Sequence, residues 1–557
     1  MKAIKDGDEI RIEDGYLHRE SIKEILGRRY DAAEKAWYAP CNERNASLLQ
    51  MLGAELCEEL RKFAGSVFDS QSTGAAAEEK PCRRMPVKAE PYKHQIRAFN
   101  YIIQLFGEKK KGMAFLAEMG TGKTIVTIAV AGTLFEGGEV KRLLVVCPKS
   151  IVGVWENEFQ KFADYEYSLA ILEGGSAKKA DTLKRMKGGG LQVAAVNYES
   201  AWRLEAEIAK WKPDMIVCDE SSKIKNPQAK QSKALHRLGK QSRYNLILTG
   251  TPITNNPLDF YSQYRFLDES IFGASFYSFR ARYAIIGGYG NHQIIGYRNM
   301  AELVEKAHSI AFRVRLDEAV DLPPYIDETR FISLEPKAKA IYDAIDRESY
   351  AELMTGEVTT RNILTRLLRL SQCTGGFIRP DTDDKVQAVS TAKLEALDDV
   401  LDECEGKKVV VFARFIPEIE AIEKLLKSRK MGYAIIHGAI TDRAEQVERF
   451  QTDPDCKVFV GQLQTTGMGL TLTAASVAVY YSLDYSYANY QQSRARIHRI
   501  GQDKKTLYIN LAAKGTVDEK IMEALRQKGD TAKLLVDEWR KLRGQPPADG
   551  VPSDNTS

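Results

Sequence analysis

A glycine-rich segment offers the clearest chemistry in this sequence. Residues 117–124, AEMGTGKT, follow the apolar run 113–117 and precede the helical run 125–131. Gly120 and Gly122 allow successive backbone N–H groups to turn toward phosphate oxygens, and the start of a helix adds positive potential. Lys123 can pair with the β- and γ-phosphates, and the Thr124 hydroxyl is placed to bind Mg²⁺. The segment predicts an ATP-binding loop whose nucleotide contacts are Met119, Gly120, Thr121, Gly122, Lys123 and Thr124.

A pair of carboxylates closes another apolar run. Residues 216–218 are apolar, and Asp219 and Glu220 follow them directly. Asp219 would hold Mg²⁺ through water, and Glu220 would orient and deprotonate the water that attacks the nucleotide. The alternative is an acidic strand end that faces solvent. Because a phosphate-binding loop is present in the same chain, we favour the catalytic interpretation.

Arginines near the end of the chain could complete such a site. Arg496 and Arg499 are three residues apart, so on a helix they share one face. An arginine face opposite a phosphate-binding loop can neutralise charge on the transferring phosphoryl group. The alternative is an ordinary basic helix, which is common in proteins.

Short apolar runs must form the elements that position these residues. They alternate with polar loops and helical stretches, which is typical of a parallel sheet covered on both faces. They occur in two groups, at 113–117, 143–147, 193–196, 215–218 and 246–248, and again at 409–412, 434–436, 458–460, 477–480 and 507–511. The sequence therefore predicts two α/β domains with RecA-like parallel sheets.

The rest of the chain divides around these two domains. Residues 1–64 read as a small α/β domain, with a strand at 10–12 and helical runs near 21–26 and 46–60. Long helical stretches and a glycine-turned hairpin at 285–297 separate the two sheets. The predicted domains are 1–64, a flexible linker at 65–88, the first lobe at 89–255, a helical inter-lobe insertion at 256–402, the second lobe at 403–543 and a disordered tail at 544–557.

Composition sets limits but does not identify a partner. The net charge is +4, with 44% hydrophobic and 28% charged residues, so any nucleic-acid surface must be local. The eight cysteines form no Cys-x-x-Cys pair, which argues against a zinc ribbon or a disulfide framework. No secretory signal or membrane span is apparent, and we expect no membrane partner.

The motifs and their order resemble those of superfamily-two helicases, and specifically the Swi/Snf-type DNA translocases. The resemblance extends from about residue 91 to residue 525. Beyond the elements above, it rests on PYKHQ at 91–95, PKS at 148–150 with WENEF at 155–159, NYE at 197–199, DESSKIKN at 219–226, LTGTPITN at 248–255, RVR at 313–315 with LPP at 322–324, VFARF at 411–415, TTGMGLTLTAA at 465–475 and RIHRIGQ at 496–502.

The resemblance implies roles for residues outside the loop and the carboxylates. It places Tyr92 and Gln95 at the adenine and Gly469 near the nucleotide. It also implies contacts to the DNA backbone from Lys149, Ser150, Tyr198, Thr251 and Thr466. One departure concerns Ser222, because the family usually has histidine at this position and uses it to couple nucleotide state to the 248–255 segment. We expect hydrolysis to survive, with less secure coupling to DNA.

The beginning of the chain carries a second resemblance. Residues 25–37, ILGRRYDAAEKAW, are similar to the HARP domain of annealing helicases, which is associated with branched DNA and with rewinding of separated strands. The resemblance implies phosphate contacts by Arg28, Arg29 and Lys35. The alternative is that Tyr30 and Trp37 are core aromatics of a small domain.

These observations together predict an ATP- and Mg²⁺-dependent motor that moves along double-stranded or branched DNA as a monomer. Alternatives are an RNA helicase of the DEAD/DEAH type, an ATP-gated clamp on branched DNA, and a chromatin remodeller, although no histone-reading domain is apparent. We expect a cytoplasmic protein, acting at the bacterial nucleoid or in a virus-infected bacterial cell, or a nuclear protein if the source is eukaryotic.

Lys123→Ala and Glu220→Gln should each nearly abolish DNA-stimulated ATP hydrolysis, because one removes the phosphate-binding charge and the other removes the base. DNA binding should stay largely intact, since neither residue is assigned to the DNA surface. Steady-state hydrolysis with and without duplex DNA, together with a DNA-binding isotherm, checks both expectations. Full turnover by either variant would refute the site assignment.

Overall fold

The apolar runs of the sequence become strands that are buried on both faces. In the computed structural model, every residue of Gly112–Ala117 and of Val409–Ala413 is buried. Strands of this kind need cover on both sides, which the helices of parallel β/α units provide. The structure describes residues 2–13, 28–31, 34, 36–41, 45, 49, 55–57, 59–60, 80–287, 293–319, 322–354, 360–379, 386–440, 442–466 and 470–537.

The chain folds into two units. One comprises Met1–Glu79, Arg280–Lys306 and Leu535–Ser557, and the other comprises Lys80–Phe279 and Ala307–Leu534. Among the helices that the structure describes, none combines the length and the apolar character that crossing a bilayer requires.

The first unit contains a five-stranded sheet near the N-terminus. Its strands are β1 (Lys2–Asp6), β2 (Glu9–Glu13), β3 (Arg29–Asp31), β4 (Ala36–Pro40) and β5 (Glu55–Leu56), in the order β3-β4-β2-β1-β5. β5 pairs in parallel with β1, and the other pairings are antiparallel. The predicted strand at 10–12 is confirmed. The helical prediction for 46–60 is wrong at Glu55 and Leu56, which join the sheet edge, and 21–26 lies outside the described residues.

The second unit begins with the first parallel lobe. Its strands include β6 (Gly112–Ala117), β7 (Arg142–Cys147), β8 (Tyr167–Ile171), β9 (Leu191–Asn197), β10 (Met215–Asp219) and β11 (Tyr244–Leu248). The helices are Lys93–Gly107, Lys123–Glu136, Val152–Phe162, Ser176–Arg185, Tyr198–Arg203, Glu205–Trp211, Lys230–Gln241 and Phe260–Leu267, with 3-10 turns at Lys149–Ile151, Ser221–Ile224 and Pro257–Asp259.

Residues 256–402 are less helical than predicted. They contribute the strands β12 (Ala284–Gly287), β13 (Gln293–Tyr297), β14 (Ala311–Val314) and β15 (Tyr325–Ile332) and the helices Phe276–Tyr283, Met300–His308, Leu316–Ala319, Pro336–Met354, Thr360–Thr374 and Ala392–Glu403. β12 and β13 form the predicted hairpin. β14 joins the first lobe beside β6, giving the order β14-β6-β11-β10-β7-β9-β8, and β15 joins the second lobe. β14 and β15 mix polar and apolar residues, so they do not stand out as apolar runs in the sequence.

The second lobe repeats the parallel design. Two short strands before it, β16 (Phe377–Ile378) and β17 (Gln387–Ala388), lie within residues 256–402 and form an antiparallel pair of their own. Besides β15, the strands of the lobe are β18 (Val409–Ala413), β19 (Gly432–Ile436), β20 (Cys456–Gln462), β21 (Val477–Tyr480) and β22 (Thr506–Ala513). The helices are Ile416–Ser428, Arg443–Thr452, Leu463–Thr466, Tyr487–Arg494 and Val517–Ala532, followed by a π turn at Lys533–Asp537. The sheet order is β15-β22-β21-β18-β20-β19, with every pairing parallel.

Alternation along β18 shows how this lobe is covered. Val409 and Val411 pack into the core on one face, whereas Val410 and Phe412 pack into the core on the other. Successive side chains of a strand point to opposite faces, so a strand with two cores must be apolar throughout.

The predicted flexible linker is partly ordered. Lys88 N donates to Phe162 O at 2.9 Å, and the Arg84 guanidinium forms ion pairs with Glu136 and Asp164. Residues 80–88 therefore pack on the first lobe, and the linker prediction is wrong for them. The segment was predicted to be a linker because it has little apolar surface, but ion pairs of Arg83 and Arg84 hold it on the lobe. Residues 65–79 lie outside the described part of the chain.

A buried ion pair in the second lobe should dominate its local stability. Lys393 Nζ lies 2.7 Å from Asp518 Oδ2, and the two side chains are 1% and 11% exposed. Lys393→Met should lower the free energy of unfolding by about 3–5 kcal/mol, because it leaves a buried carboxylate without its cation. Urea unfolding of the full chain measures the change.

The matched control is Lys240→Met, which breaks an exposed pair with Glu269 at 2.8 Å. That change should cost at most about 1 kcal/mol. Equal losses from the two variants would contradict the role assigned to burial.

Candidate active site

The glycine-rich loop lies between β6 and the helix Lys123–Glu136. Gly120 and Gly122 have φ values of 82° and 87°, in the left-handed region that glycine adopts at little cost. A Cβ atom on Gly122 would lie 2.2 Å from Gln95 Nε2. Conformation and space therefore both require glycine at 122, and the predicted strand–loop–helix arrangement is present.

The Lys123 amine folds back over this loop. Its Nζ donates to the carbonyls of Ala117 at 3.0 Å and Glu118 at 3.3 Å. Burial lowers the pKa of Lys123, while the carboxylates of Glu220 and Asp219 oppose that shift. Thr121 Oγ1 donates to Glu118 O at 2.8 Å, and Thr124 is half-buried in the first turn of the helix. The loop thus gathers a cation and hydroxyls at one helix N-terminus.

The paired carboxylates lie at the carboxyl end of β10. Asp219 and Glu220 are each 8% exposed. Asp219 Oδ2 accepts from Trp155 Nε1 at 3.2 Å, and its Oδ1 accepts from the Glu220 N–H at 3.0 Å. Burial, and then the charge of Glu220, raise the pKa of Asp219 well above its usual range. The two carboxylates therefore favour a nearby positive charge.

The two arginines do not lie on a helix. The helix Tyr487–Arg494 ends before both of them, so the predicted helical face is wrong. The turns that follow still direct them together, because Arg496 and Arg499 both donate to Leu470 O, at 3.2 and 3.4 Å. The Gln502 amide stabilises these turns by donating to the carbonyls of Thr473, Ala475 and Ile497.

The two lobes meet at the glycine-rich loop and the carboxylates. An Arg496 guanidinium nitrogen lies 3.5 Å from Met119 Sδ, and Gln492 Nε2 lies 3.5 Å from Glu220 Oε2. A Cβ atom on Gly120 would lie 3.4 Å from Arg499 Cβ. Burial, and then the charge of Arg499, lower the pKa of Arg496 to about 10. The structure therefore brings both arginines to the phosphate-binding loop.

The predicted adenine contacts lie on the other side of the loop. Gln95 Oε1 accepts from Tyr92 N at 3.0 Å, and Gln95 Nε2 donates to Thr121 O at 3.2 Å. The Tyr92 side chain is 52% exposed, and its ring stacks on the His94 ring with 5.8 Å between the ring centroids. Gln95 thus fixes the loop, and Tyr92 offers an open aromatic face.

The predicted DNA contacts divide into exposed and buried residues. Lys149 and Ser150 are exposed in the 3-10 turn after β7, and Thr466 ends the helix Leu463–Thr466 after β20. Gly469 lies outside the described residues, so its predicted nucleotide contact stays a prediction. Exposure at the carboxyl ends of strands agrees with a ligand-binding edge.

The hydroxyls of two predicted DNA contacts are buried. Tyr198 is only 5% exposed, and its hydroxyl donates to the Asp219 carbonyl at 2.7 Å. Thr251 Oγ1 is buried and makes no hydrogen bond within the described part of the chain. Because neither hydroxyl is open to solvent in this structure, both DNA contacts stay predictions. Tyr198 instead supports the strand end that carries the carboxylates.

The N-terminal candidates lie within the five-stranded sheet. Arg29 donates to the Glu9 carboxylate at 3.3 and 2.7 Å, and its guanidinium stacks on the Tyr38 ring at 4.3 Å. Arg28 is exposed, and Lys35 lies outside the described residues. Tyr30 is 52% exposed, so it is not a core aromatic. A phosphate contact by Arg29 would have to compete with Glu9.

Trp155 and Gln492 have contacts that the sequence did not predict. The sequence assigns no role to Trp155, which begins the WENEF segment, or to Gln492. Their partners, Asp219 and Glu220, lie 64 and 272 positions away in the chain. No local spacing could have shown those contacts.

The oxygen donors available fit Mg²⁺, which prefers hydroxyl, carboxylate and water ligands. Thr124 and Asp219 supply such groups, and the raised pKa of Asp219 marks a carboxylate that a dication would stabilise. Bound Mg²⁺ would neutralise phosphate charge there.

Family models match most of the second unit. A model of the SNF2-related domain matches residues 94–375, and a model of the helicase conserved C-terminal domain matches residues 392–501. The ISWI chromatin-remodeling complex ATPase ISW1 of Saccharomyces cerevisiae is 26% identical over 477 residues, which is 80% of this chain and 40% of that protein.

A second relative and a solved structure are similar as well. The DNA repair and recombination protein RAD54-like of Danio rerio is 27% identical over 481 residues, covering 77% of this chain and 64% of that protein. The Sulfolobus solfataricus SWI2/SNF2 ATPase core in complex with dsDNA has 25% identity and a TM-score of 0.41, with 84% of this chain and 100% of that chain covered. The chain thus spans less than two thirds of the length of these two relatives.

Trp155→Phe should raise the Mg²⁺ concentration for half-maximal ATP hydrolysis by about tenfold or more, because it removes the donor that orients Asp219. A Mg²⁺ titration of hydrolysis at saturating ATP and DNA measures the change. Trp211→Phe is the matched control, since Trp211 is 9% exposed and its Nε1 makes no hydrogen bond among the described residues. Identical Mg²⁺ curves for the two variants would show that Trp155 does not position Asp219.

Proposed function

The chain belongs to the SNF2-related family, and on that premise we propose that it hydrolyses ATP between its two lobes to move along double-stranded DNA. The family match covers residues 94–375, about half of the chain, so the chain carries the ATPase core of this family. Movement along DNA, and any preference for branched DNA, are parts of the proposal.

The observation that carries the proposal is the meeting of the two lobes at the phosphate-binding loop. Arg496 contacts Met119, and Gln492 contacts Glu220, so groups from both lobes surround one place. Lys123 would bind the phosphates, and Thr124 and Asp219 would hold Mg²⁺. Glu220 would take the proton of the attacking water. Arg496 and Arg499 would neutralise charge that develops on the transferring group.

A site shared by two lobes converts hydrolysis into motion. The complete set of charges exists only when the lobes are closed, so nucleotide binding favours closure and product release favours opening. The exposed turn with Lys149 and Ser150 lies on one lobe, and Thr466, at the end of the helix Leu463–Thr466, lies on the other. If each grips the phosphate backbone in turn, every cycle advances the protein along the strand.

DNA binding through these loops should depend strongly on salt and weakly on sequence. Backbone contacts release counterions and carry no base identity. We propose that the N-terminal sheet adds a preference for branched DNA, as the HARP resemblance implies, with Arg28 and Lys35 as phosphate contacts and the monomer as the active form. The balanced Arg29–Glu9 pair makes Arg29 a weaker candidate.

The alternative is a clamp that holds branched DNA without travelling. It is favoured by Ser222, which stands where the family usually has histidine. A clamp of this kind would still hydrolyse ATP but would release DNA with each cycle.

Triplex displacement distinguishes the motor from the clamp. The full chain should remove a third strand placed away from its loading site, with ATP and on duplex DNA, because only a travelling protein reaches it. Glu220→Gln is the control and should leave the triplex in place while still binding duplex. Duplex-stimulated hydrolysis without any displacement would favour the clamp and contradict translocation.

A further inference from the structure

Glu220 has an uncommon backbone conformation for its residue type. Its φ and ψ are 53° and 56°, in the left-handed region. Residues with a Cβ atom adopt this region at a cost, and it persists where surrounding contacts fix the backbone. The conformation turns the chain sharply after β10, between Asp219 and the 3-10 turn Ser221–Ile224.

Ser221, the next residue, ties this turn to a buried amide. Ser221 Oγ donates to Gln263 Oε1 at 2.7 Å. Both side chains are completely buried, with 0% exposure. Gln263 lies on the helix Phe260–Leu267, so an element of the first lobe holds the turn from behind.

The nitrogen of the Gln263 amide is also fully hydrogen-bonded. Gln263 Nε2 donates to Pro252 O at 2.7 Å and to Asp259 O at 2.8 Å. A carboxamide has two N–H donors, and each has a carbonyl partner. Rotating the amide by half a turn would point its oxygen at two carbonyl oxygens, so its orientation is fixed.

Pro252 belongs to a loop that packs on the phosphate-binding loop. A Cβ atom on Gly250 would lie 3.2 Å from Glu118 Cα. Arg313 donates to both Gly250 O and Leu116 O, at 3.4 and 3.1 Å, and its guanidinium pairs with Glu118 at 2.7 Å. These contacts therefore tie the loop to the phosphate-binding loop.

The far end of the same loop is tied to the carboxylate segment again. Lys225 Nζ contacts Thr254 Oγ1, and Asp259 Oδ2 accepts from Thr254 N at 2.9 Å and Asn255 N at 2.8 Å. Gln263 also accepts from Ser221, so it lies between the carboxylate segment and the loop at Pro252. Its amide is the buried link between the turn at Glu220 and the loop at Pro252.

We propose that Gln263 is a positioning residue for ATP hydrolysis. It holds the left-handed turn that aims the Glu220 carboxylate, and it joins that turn to the loop that packs on Ala117–Met119. The inference rests on the proposed ATPase function, because it assigns a role to the carboxylate that acts there.

Gln263→Leu tests this role with a side chain of similar size. It removes the acceptor for Ser221 and both donors to the loop, so the turn at Glu220 loses its support. In the full chain at saturating duplex DNA, kcat should fall about tenfold, whereas the KM for ATP and the Kd for duplex should stay within about twofold. If Gln263 contributed only to packing, the variant would have a lower melting temperature, but its kcat measured below that temperature would equal the wild-type kcat.

Ser221→Ala breaks the same contact from the other side and leaves Gln263 in place. It should lower kcat by a similar factor. The double variant should be no slower than Gln263→Leu alone, because both changes remove the same Ser221–Gln263 hydrogen bond. Unchanged kcat in both single variants, or independent additive losses, would overturn the proposal. If Gln263→Leu does not fold, Ser221→Ala alone decides, and its unchanged kcat refutes the role.

The wild-type chain separates this inference from the function on which it rests. A wild-type chain that fails to hydrolyse ATP with duplex DNA contradicts the proposed function and removes the basis of this inference with it. A wild-type chain that hydrolyses ATP while both variants match its kcat contradicts the inference alone.

Discussion

Burial of opposite charges at one place constrains the rest of this structure. Asp219, Glu220 and Arg496 are buried where the lobes meet, and Lys123 is half-buried beside them. Burial raises the pKa of Asp219 and lowers the pKa values of Lys123 and Arg496, so it favours the neutral form of each. Charges taken out of water are costly unless partners compensate them. A polyanionic nucleotide with a dication supplies compensation to both signs at once. The same burial explains why neighbouring side chains form hydrogen bonds with these charges, as Trp155 does with Asp219.

Local patterns in the sequence were sufficient for most strands of the two lobes and for the phosphate-binding loop. Strands such as β6 and β18 are apolar throughout because they are covered on both faces, so their composition alone identifies them. The loop is equally local, since its glycines, lysine and threonine are consecutive. The edge strands β8, β14 and β15 escaped prediction because mixed composition does not distinguish an edge strand from a helix or a loop.

Long-range contacts could not be predicted in the same way. Turns that Gln502 stabilises bring Arg496 and Arg499 to the same carbonyl. Helical spacing also predicted that the two side chains lie together, but neither residue lies on a helix. Tyr198 and Thr251 carry hydroxyls that suit DNA, yet both hydroxyls are buried against the first lobe. Gln263 lies 42 positions from Ser221, and nothing in its neighbourhood marks it. The sequence therefore indicates candidate ligand contacts better than it indicates the buried residues that position them.

The central claim is that one nucleotide is shared by the two lobes, with Arg496 acting on it from the second lobe. Single-turnover hydrolysis by Arg496→Ala, with ATP binding measured separately, tests this most directly. The account predicts that ATP still binds with an affinity within about tenfold of the wild type, while the hydrolysis rate falls about 10³-fold or more. Hydrolysis at the wild-type rate by Arg496→Ala would contradict a site completed by the second lobe.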